Sequence, residues 1–237
     1  LYEDENVLIA NKPVGILTQK ARAKDMSLNE WLVGYLLHEG SISTEELRAF
    51  HPSVCNRLDR NTSGIVLCGK SLPGSQALSR VIKDRTIRKF YRTVCVGEMK
   101  EDAVLNGYLQ KDERTNRVTV VEEIPEGDNG DYAPIHTAYH PLTTNGEYTL
   151  LEVELITGKT HQIRSHLASV GHPIIGDAKY GNPKVNQFFR KENGLQNQLL
   201  HAYRLEFPKE TGVLNPLSGQ NVTAPCPKLF KRITEQL

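Results

Sequence analysis

The sequence predicts an α+β fold with a mixed, mostly antiparallel central sheet flanked by helices and loops. Apolar residues alternate with polar ones in several short runs, the pattern of half-buried strands. Between those runs lie stretches with apolar residues at helical spacing, opened by capping residues or proline. No internal repeat, low-complexity tract or clear linker interrupts the 237 residues, so one domain over residues 1–237 is the economical expectation.

The segment "YEDENVLIANKPVG" reads as a short strand, a turn and a second strand, broken at Pro13 and Gly15. Ser27 to Glu39 reads as an amphipathic helix, with Leu28, Trp31, Leu32, Tyr35 and Leu36 at helical spacing. A second helix is expected behind a Ser43 or Thr44 cap, with Glu46 in its first turn. "NTSG" is turn chemistry, and "IVLCGK" after it is a buried strand ending at Gly69. A helix follows Pro73, and "TIRKFYRTVCVG" alternates as a strand with Lys89, Tyr91 and Thr93 on one side. "RVTVVEE" and "PIHTAYHPL" read as strands joined by the polar "IPEGDNGDYA". "EYTLLEVELITG" is a long strand closed by Gly158, and "KTHQIRSHLASVG" is a helix that Gly171 terminates. "GDAKYGNP" is loop, "LHAYRLEFP" a strand, and "PKLFKRITEQL" a terminal helix opened by Pro227.

Apolar residues make up 38% and charged residues 24%, the proportions of an ordinary folded protein. Lys and Arg number 29 against 28 Asp and Glu, so nucleic-acid binding would need a local basic face. Cys55, Cys68, Cys95 and Cys226 stand apart with no C-x-x-C pair; they suit a reducing cytosol, and a cytoplasmic location is expected. No apolar run approaches the roughly 20 residues of a membrane span, and no secretory signal is read at the start. The chain opens at Leu1 rather than methionine, so a piece of a longer protein, with room for an upstream domain, is the expectation.

Three constellations carry chemistry. In Arg57-Leu58-Asp59-Arg60 a carboxylate sits among arginines; it is either a solvated surface pair or, because the segment runs into an apolar strand, a charge held by partners. Lys89 and Tyr91 share a strand face, which is common on half-exposed strands but also lets nearby cations make a phenol a proton acceptor. In "ITGKTHQIRSHLASVG", steps of about 100° place Ile163, Leu167 and Val170 on one stripe and Arg164 at its edge. A half-buried arginine there either snorkels to water or takes an acidic partner or an anionic ligand. His161 and His166 lack an H-E-x-x-H frame, and His136 and His140 lack a third ligand, so no metal is expected. No phosphate-binding or dinucleotide-binding glycine motif appears, and no cofactor is expected.

Taken in order, these segments resemble the RluA-type family of RNA pseudouridine synthases. "DENVLIANKPVGILTQ" is similar to its opening motif and "NRLDRNTSGIVLCGKS" to its catalytic H-R-L-D-x-x-T-S-G. "RKFYRTVCVG" is similar to its K-x-Y strand, "GKTHQIRSH" to its G-[RK]-T-H-Q-I-R-x-H segment and "LLHAYRLEF" to its closing strand. Asn56 departs from the pattern, standing where the family usually has histidine; it is expected to be tolerated and to mark a subgroup, and to bear on substrate preference if the family's histidine supports the RNA or the loop. Lys20 to His51 is longer than the usual spacer and is read as a substrate-contacting excursion.

The resemblance implies an isomerase without cofactor that converts uridine in RNA to pseudouridine, ribosomal RNA being favoured over transfer RNA. It implies Asp59 as the essential carboxylate, Arg164 as its ion-pair partner and Tyr91 as a group beside the base that can take a proton. Arg57, Arg60, Lys89, His161 and Gln162 are then expected at the RNA, with Arg57 filling the gap left by a flipped nucleotide. Arg80, Lys83, Arg85, Arg88, Lys89 and Arg92 are expected as a basic cluster. A monomer is expected, and whether an S4-like RNA-binding domain precedes Leu1, as in many relatives, is left open. The competing readings are a catalytically silent RNA-binding or assembly factor on the same scaffold and, more weakly, a glycosidase, for which no second carboxylate presents itself.

Overall fold

The computed structural model describes residues 1–128, 130–209 and 212–237. In chain order the elements are β1 (Tyr2–Glu3), β2 (Val7–Lys12), α1 (Leu28–His38), β3 (Ser53–Val54), β4 (Ser63–Gly69), α2 (Leu72–Lys83), β5 (Arg88–Val96), β6 (Ala103–Asp112), β7 (Arg117–Val121), β8 (Tyr132–Thr144), β9 (Tyr148–Leu155), α3 (Gln162–Ser169), α4 (Pro183–Asn193), β10 (Leu200–Glu206), β11 (Asn221–Thr223) and α5 (Lys228–Thr234). They fall into two compact units: Leu1–Arg88 with Ala202–Pro225, and Lys89–His201 with Cys226–Leu237. No helix among the described residues is long and apolar enough to cross a membrane.

In the first unit the strand order is β1-β2-β4-β10, with β3 on β4 and β11 on β10. β4 is buried at every position because its run of Ile65, Val66, Leu67 and Cys68 is apolar on both faces. Ser71 caps α2 by accepting the Gly74 N–H, and Ala77, Leu78 and Val81 pack with Ile65 and Leu67 of β4. Gly64 has φ +113, and a Cβ there would lie 2.2 Å from the Ala202 carbonyl oxygen, so only glycine lets β10 come this close. Ser27 caps α1 by accepting the Asn29 N–H, and Leu28, Leu32 and Leu36 form its buried stripe, whereas Trp31, expected on that stripe, is exposed. The expected second helix is only a 3₁₀ turn over Glu46–Arg48. Its capping box does form, with Ser43 N–H to Glu46 Oε2 at 2.8 Å and Glu46 N–H to Ser43 Oγ at 3.2 Å. None of its residues is buried, and a cap without an apolar face to bury does not sustain a helix.

In the second unit the order is β5-β9-β8-β6-β7, each neighbouring pair antiparallel. One core gathers Val94, Ile175, Phe189, Leu199, Phe230 and Ile233; a smaller one joins Leu109, Val118 and Ile135. β8 extends beyond the expected run and tolerates Pro141 because its register with β9 shifts between Pro141 and Thr143. β6, α4 and the short β3 and β11 are additions to the sequence-based expectation. The α+β expectation holds in both units.

Candidate active site

Asp59 lies in irregular chain between β3 and β4, half-buried, with Arg57 and Arg60 exposed on either side. Its neighbours are clamped to the segment that follows β2. The Thr18 hydroxyl donates to the Leu58 carbonyl at 2.9 Å and accepts the Leu58 N–H at 3.1 Å. The Gly15 N–H donates to the Arg60 carbonyl at 2.9 Å, while Arg60 Nε donates to the Gly15 carbonyl at 3.0 Å. The Thr62 N–H closes the turn on the Asp59 carbonyl at 3.0 Å. With residues on both sides tied down, the Asp59 backbone is fixed before any ligand arrives.

The residue that sequence reasoning missed in this unit is Lys12, the last residue of β2 and fully buried. Its ammonium donates to the carbonyls of Ile16 at 2.8 Å, Pro13 at 3.0 Å and Arg60 at 3.2 Å. Burial draws its pKa down to about 8, and the nearby Asp59 carboxylate pushes the other way. Three carbonyl acceptors match the three donors of an ammonium, so Lys12 carries its charge at neutral pH. The loop thus has a buried cation beside Asp59. The signal is there in the sequence: a lysine directly before a proline turn at the end of an apolar strand has nowhere exposed to go.

In the second unit Tyr91 sits on β5 opposite Val153 of β9 and is 7% exposed, with Lys89 half-buried two residues earlier. Arg164, expected at the edge of a stripe, is buried, whereas Val170 lies past the end of α3 and is exposed. The acidic partner Arg164 takes within its unit is Asp177. Arg164 Nε donates to Asp177 Oδ2 at 2.7 Å and Nη2 to Oδ1 at 2.9 Å, a side-on bidentate pair. Asp177 Oδ1 also accepts the N–H groups of Lys179 at 2.8 Å and Tyr180 at 3.1 Å. Burial alone would raise the Asp177 pKa; the Arg164 bonds and charge and the two N–H donors outweigh it and hold the carboxyl below its usual value. By sequence Asp177 is only part of a loop, although a buried arginine requires such a group nearby.

The guanidinium also lies over the Tyr180 ring, 5.3 Å from its centroid. The Tyr180 hydroxyl accepts the Val118 N–H at 3.0 Å and is 2.9 Å from His161 Nδ1. His161 has φ 53, a left-handed conformation at the entry to α3. Gln162, expected at the RNA, is buried with its amide saturated: it donates to His136 O and Thr137 Oγ1 and accepts from Thr157 Oγ1 and Lys159 N–H. It therefore holds the turn into α3 and presents no free group to a ligand.

Of the expected basic cluster, Arg80, Lys83, Arg85 and Arg88 are exposed in the first unit, where Arg88 pairs with Glu206 at 2.9 Å. Lys89 and Arg92 are half-buried in the second unit. Among the described residues no three His, Cys, Asp or Glu side chains gather as a metal site requires.

The family described as RNA pseudouridylate synthase matches residues 6–169, a span that holds Lys12, Asp59, Tyr91 and Arg164. An RNA pseudouridine synthase of Chloroflexus aurantiacus, itself uncharacterized, is 34% identical over 96% of this chain and 65% of its own. Ribosomal large subunit pseudouridine synthase D of Neisseria meningitidis is 29% identical over 96% of this chain and 57% of its own. Synthase C of Vibrio cholerae is 32% identical over 87% of this chain and 60% of its own. The chain thus spans about 57–65% of the length of these curated relatives. Among solved structures, human RNA pseudouridylate synthase domain containing 4 has a TM-score of 0.78 at 22% identity, covering 100% of this chain and 92% of that one, which shows the shared fold. With the family pattern running through both units and the expected motifs in their expected order, the chain belongs to the RNA pseudouridine synthase family, in its RluA-type branch.

Proposed function

We propose that the protein isomerises specific uridines in RNA to pseudouridine, with Asp59 as the essential carboxylate. The C1′–N1 bond breaks, the base turns, and C5 bonds to C1′ while the C5 proton is lost and N1 gains one. The observation that carries the reading is the clamped loop. Asp59 is half-exposed on a backbone pinned at Leu58 and Arg60, beside the buried Lys12 ammonium, within the span that matches the family. A fixed carboxylate with a cation behind it meets the electrostatic demand of a ribose carbon that gains positive character as the base departs.

Arg164 and Tyr91 complete the proposal: Arg164 pairs with Asp59 in addition to Asp177, and Tyr91 packs against the base and takes a ribose proton on an elimination route. Arg57, exposed in the same loop, fills the space of the extracted nucleotide. Ribosomal RNA is the proposed substrate class, on the strength of relatives named as ribosomal large subunit enzymes. The test is tritium release from RNA carrying C5-labelled uridine. Wild-type protein should release label, and Asp59→Asn should release none while binding the same RNA, because the amide keeps the shape and loses the charge. Turnover by the variant would overturn the role of Asp59. A wild-type protein that binds RNA yet never releases label would be the silent scaffold instead.

A further inference from the structure

The excursion that follows the Asp59 clamp is an unassigned surface. The chain leaves at Thr18 and returns at Ser27, where Leu17 and Ser27 form a parallel bridge. The Leu28 N–H donates to the Leu17 carbonyl at 2.8 Å and the Asn29 N–H to the Thr18 carbonyl at 3.2 Å. Both ends of the arm are therefore tied to the residues that hold Leu58. Within the arm Lys20, Arg22 and Lys24 are all exposed, in a chain whose overall formal charge is only +1. The one acid, Asp25, is turned onto the backbone: its Oδ2 accepts the N–H groups of Arg22 at 2.8 Å and Ala21 at 3.2 Å.

Beside the arm, α1 carries an aromatic shelf. Trp31 is 50% exposed and stacks on Tyr35 with ring centroids 5.2 Å apart and planes 10° from parallel. Tyr35 is itself pinned, its hydroxyl donating to Glu3 at 2.9 Å. Lys20 reaches Glu30, the residue before Trp31, at 3.7 Å, so arm and shelf adjoin. An indole half in water, backed by a second fixed ring and adjoining a basic arm through Lys20 and Glu30, is a poor ending for a helix that needs only its leucine stripe buried. It is the arrangement that receives a stacked base with its neighbouring phosphates.

We propose that the arm and Trp31 form an RNA-binding shelf for the single strand beside the target uridine, with phosphates on Lys20, Arg22 and Lys24 and one base stacked on Trp31. This rests on the reading that the substrate is RNA. A strand that delivers a nucleotide to Asp59 meets a segment tied to the same clamp, which favours RNA over a protein partner for this surface.

Trp31 is the chain's only tryptophan, so its own emission reports the binding. A hairpin RNA with a loop of unpaired uridines is titrated in, with binding followed in parallel by anisotropy of the labelled hairpin. Saturable quenching is expected. In Lys20→Ala/Arg22→Ala/Lys24→Ala the plot of log K against log salt should become shallower by about 2, at about 0.7 for each single-strand phosphate left without its cation. Trp31→Leu, with its far-UV spectrum unchanged, should weaken the hairpin about tenfold. RNA that binds without moving Trp31 emission, or an unchanged salt slope in the triple variant, would overturn the proposal. Quenching without tritium release would sink the catalytic reading and leave the shelf standing. Tritium release with unmoved emission would do the reverse.

Discussion

Asp177→Asn isolates the weight of the buried pair that holds Arg164. The two side chains are almost wholly removed from water, at 7% and 0% exposure, and are joined by two hydrogen bonds. Asparagine keeps an oxygen for the Lys179 and Tyr180 N–H groups, but its amide nitrogen then faces Arg164 Nε, donor against donor. Breaking a buried pair on one side costs about 3–5 kcal/mol, and the retained backbone bonds put this variant near the lower end, about 3 kcal/mol. For a chain of this size, about 2–4 °C per kcal/mol, the unfolding midpoint should fall by about 6–12 °C.

The pH dependence gives a second reading of the same pair. The folded pKa of Asp177 lies below its ordinary 3.8, so its contribution is full above that value and is lost as pH falls through the folded pKa. Thermal unfolding by circular dichroism should therefore show the wild-type advantage undiminished at neutral and mildly acidic pH, closing only in strong acid. A midpoint shift under about 2 °C, or a gap that closes already in mild acid, would refute the reasoning. Arg164→Met combined with Asp177→Leu should recover much of the lost stability, since a buried pair replaced by apolar side chains is often neutral. If Arg164 has the proposed chemical role, this stable double variant should release no label from C5-tritiated uridine in RNA, and release at the wild-type rate would limit the pair to a structural share.

Lys12→Met leaves three carbonyls without their shared donor and should cost about 3 kcal/mol, read by urea unfolding. Because burial sets the folded pKa of Lys12 near 8 against 10.5 for the free amine, the unfolded chain binds this proton more tightly; wild-type stability should climb between those pH values, and the climb should vanish in the variant. Tyr91→Phe should lower the single-turnover rate about a hundredfold with RNA affinity unchanged, and an unchanged rate would show that the hydroxyl has no chemical role. Gly64→Ala places a Cβ against the Ala202 carbonyl and should cost about 3 kcal/mol; an unshifted midpoint would show that β10 can retreat.

The elements legible in the sequence are those with a strong period or punctuation: the leucine stripe of α1, the unbroken apolar run of β4, and the end of α3 at Gly171, where φ is +87. β6 is hidden because Gly107 interrupts its apolar face and, of the side chains on that face, only Leu109 is buried. The false second helix shows the converse, a capping box with nothing to bury behind it. At the site, Asp59 and Arg164 are legible from the charge they place next to apolar chain. Asp177 is not, because it is a loop charge whose purpose is defined by an arginine 13 residues earlier, and Lys12 is marked only by its place before Pro13 at the end of an apolar strand. Gln162 misleads the other way, its polar amide suggesting a ligand when four internal groups already occupy it.

Asn56 shows how a departure from a family pattern acquires a physical reason. Its Oδ1 accepts the Leu67 N–H at 2.7 Å and its Nδ2 reaches the Ile65 carbonyl at 3.4 Å, two backbone groups on one strand with a single residue between them. That is the spacing at which a neighbouring strand's own peptide groups would bond, and the preceding Cys55 N–H indeed donates to Leu67 O at 2.7 Å. The carboxamide stands in for a peptide and carries the β3–β4 ladder past Val54, up to the point where the chain turns toward Asp59. The residue therefore belongs to the frame of the loop that carries Asp59.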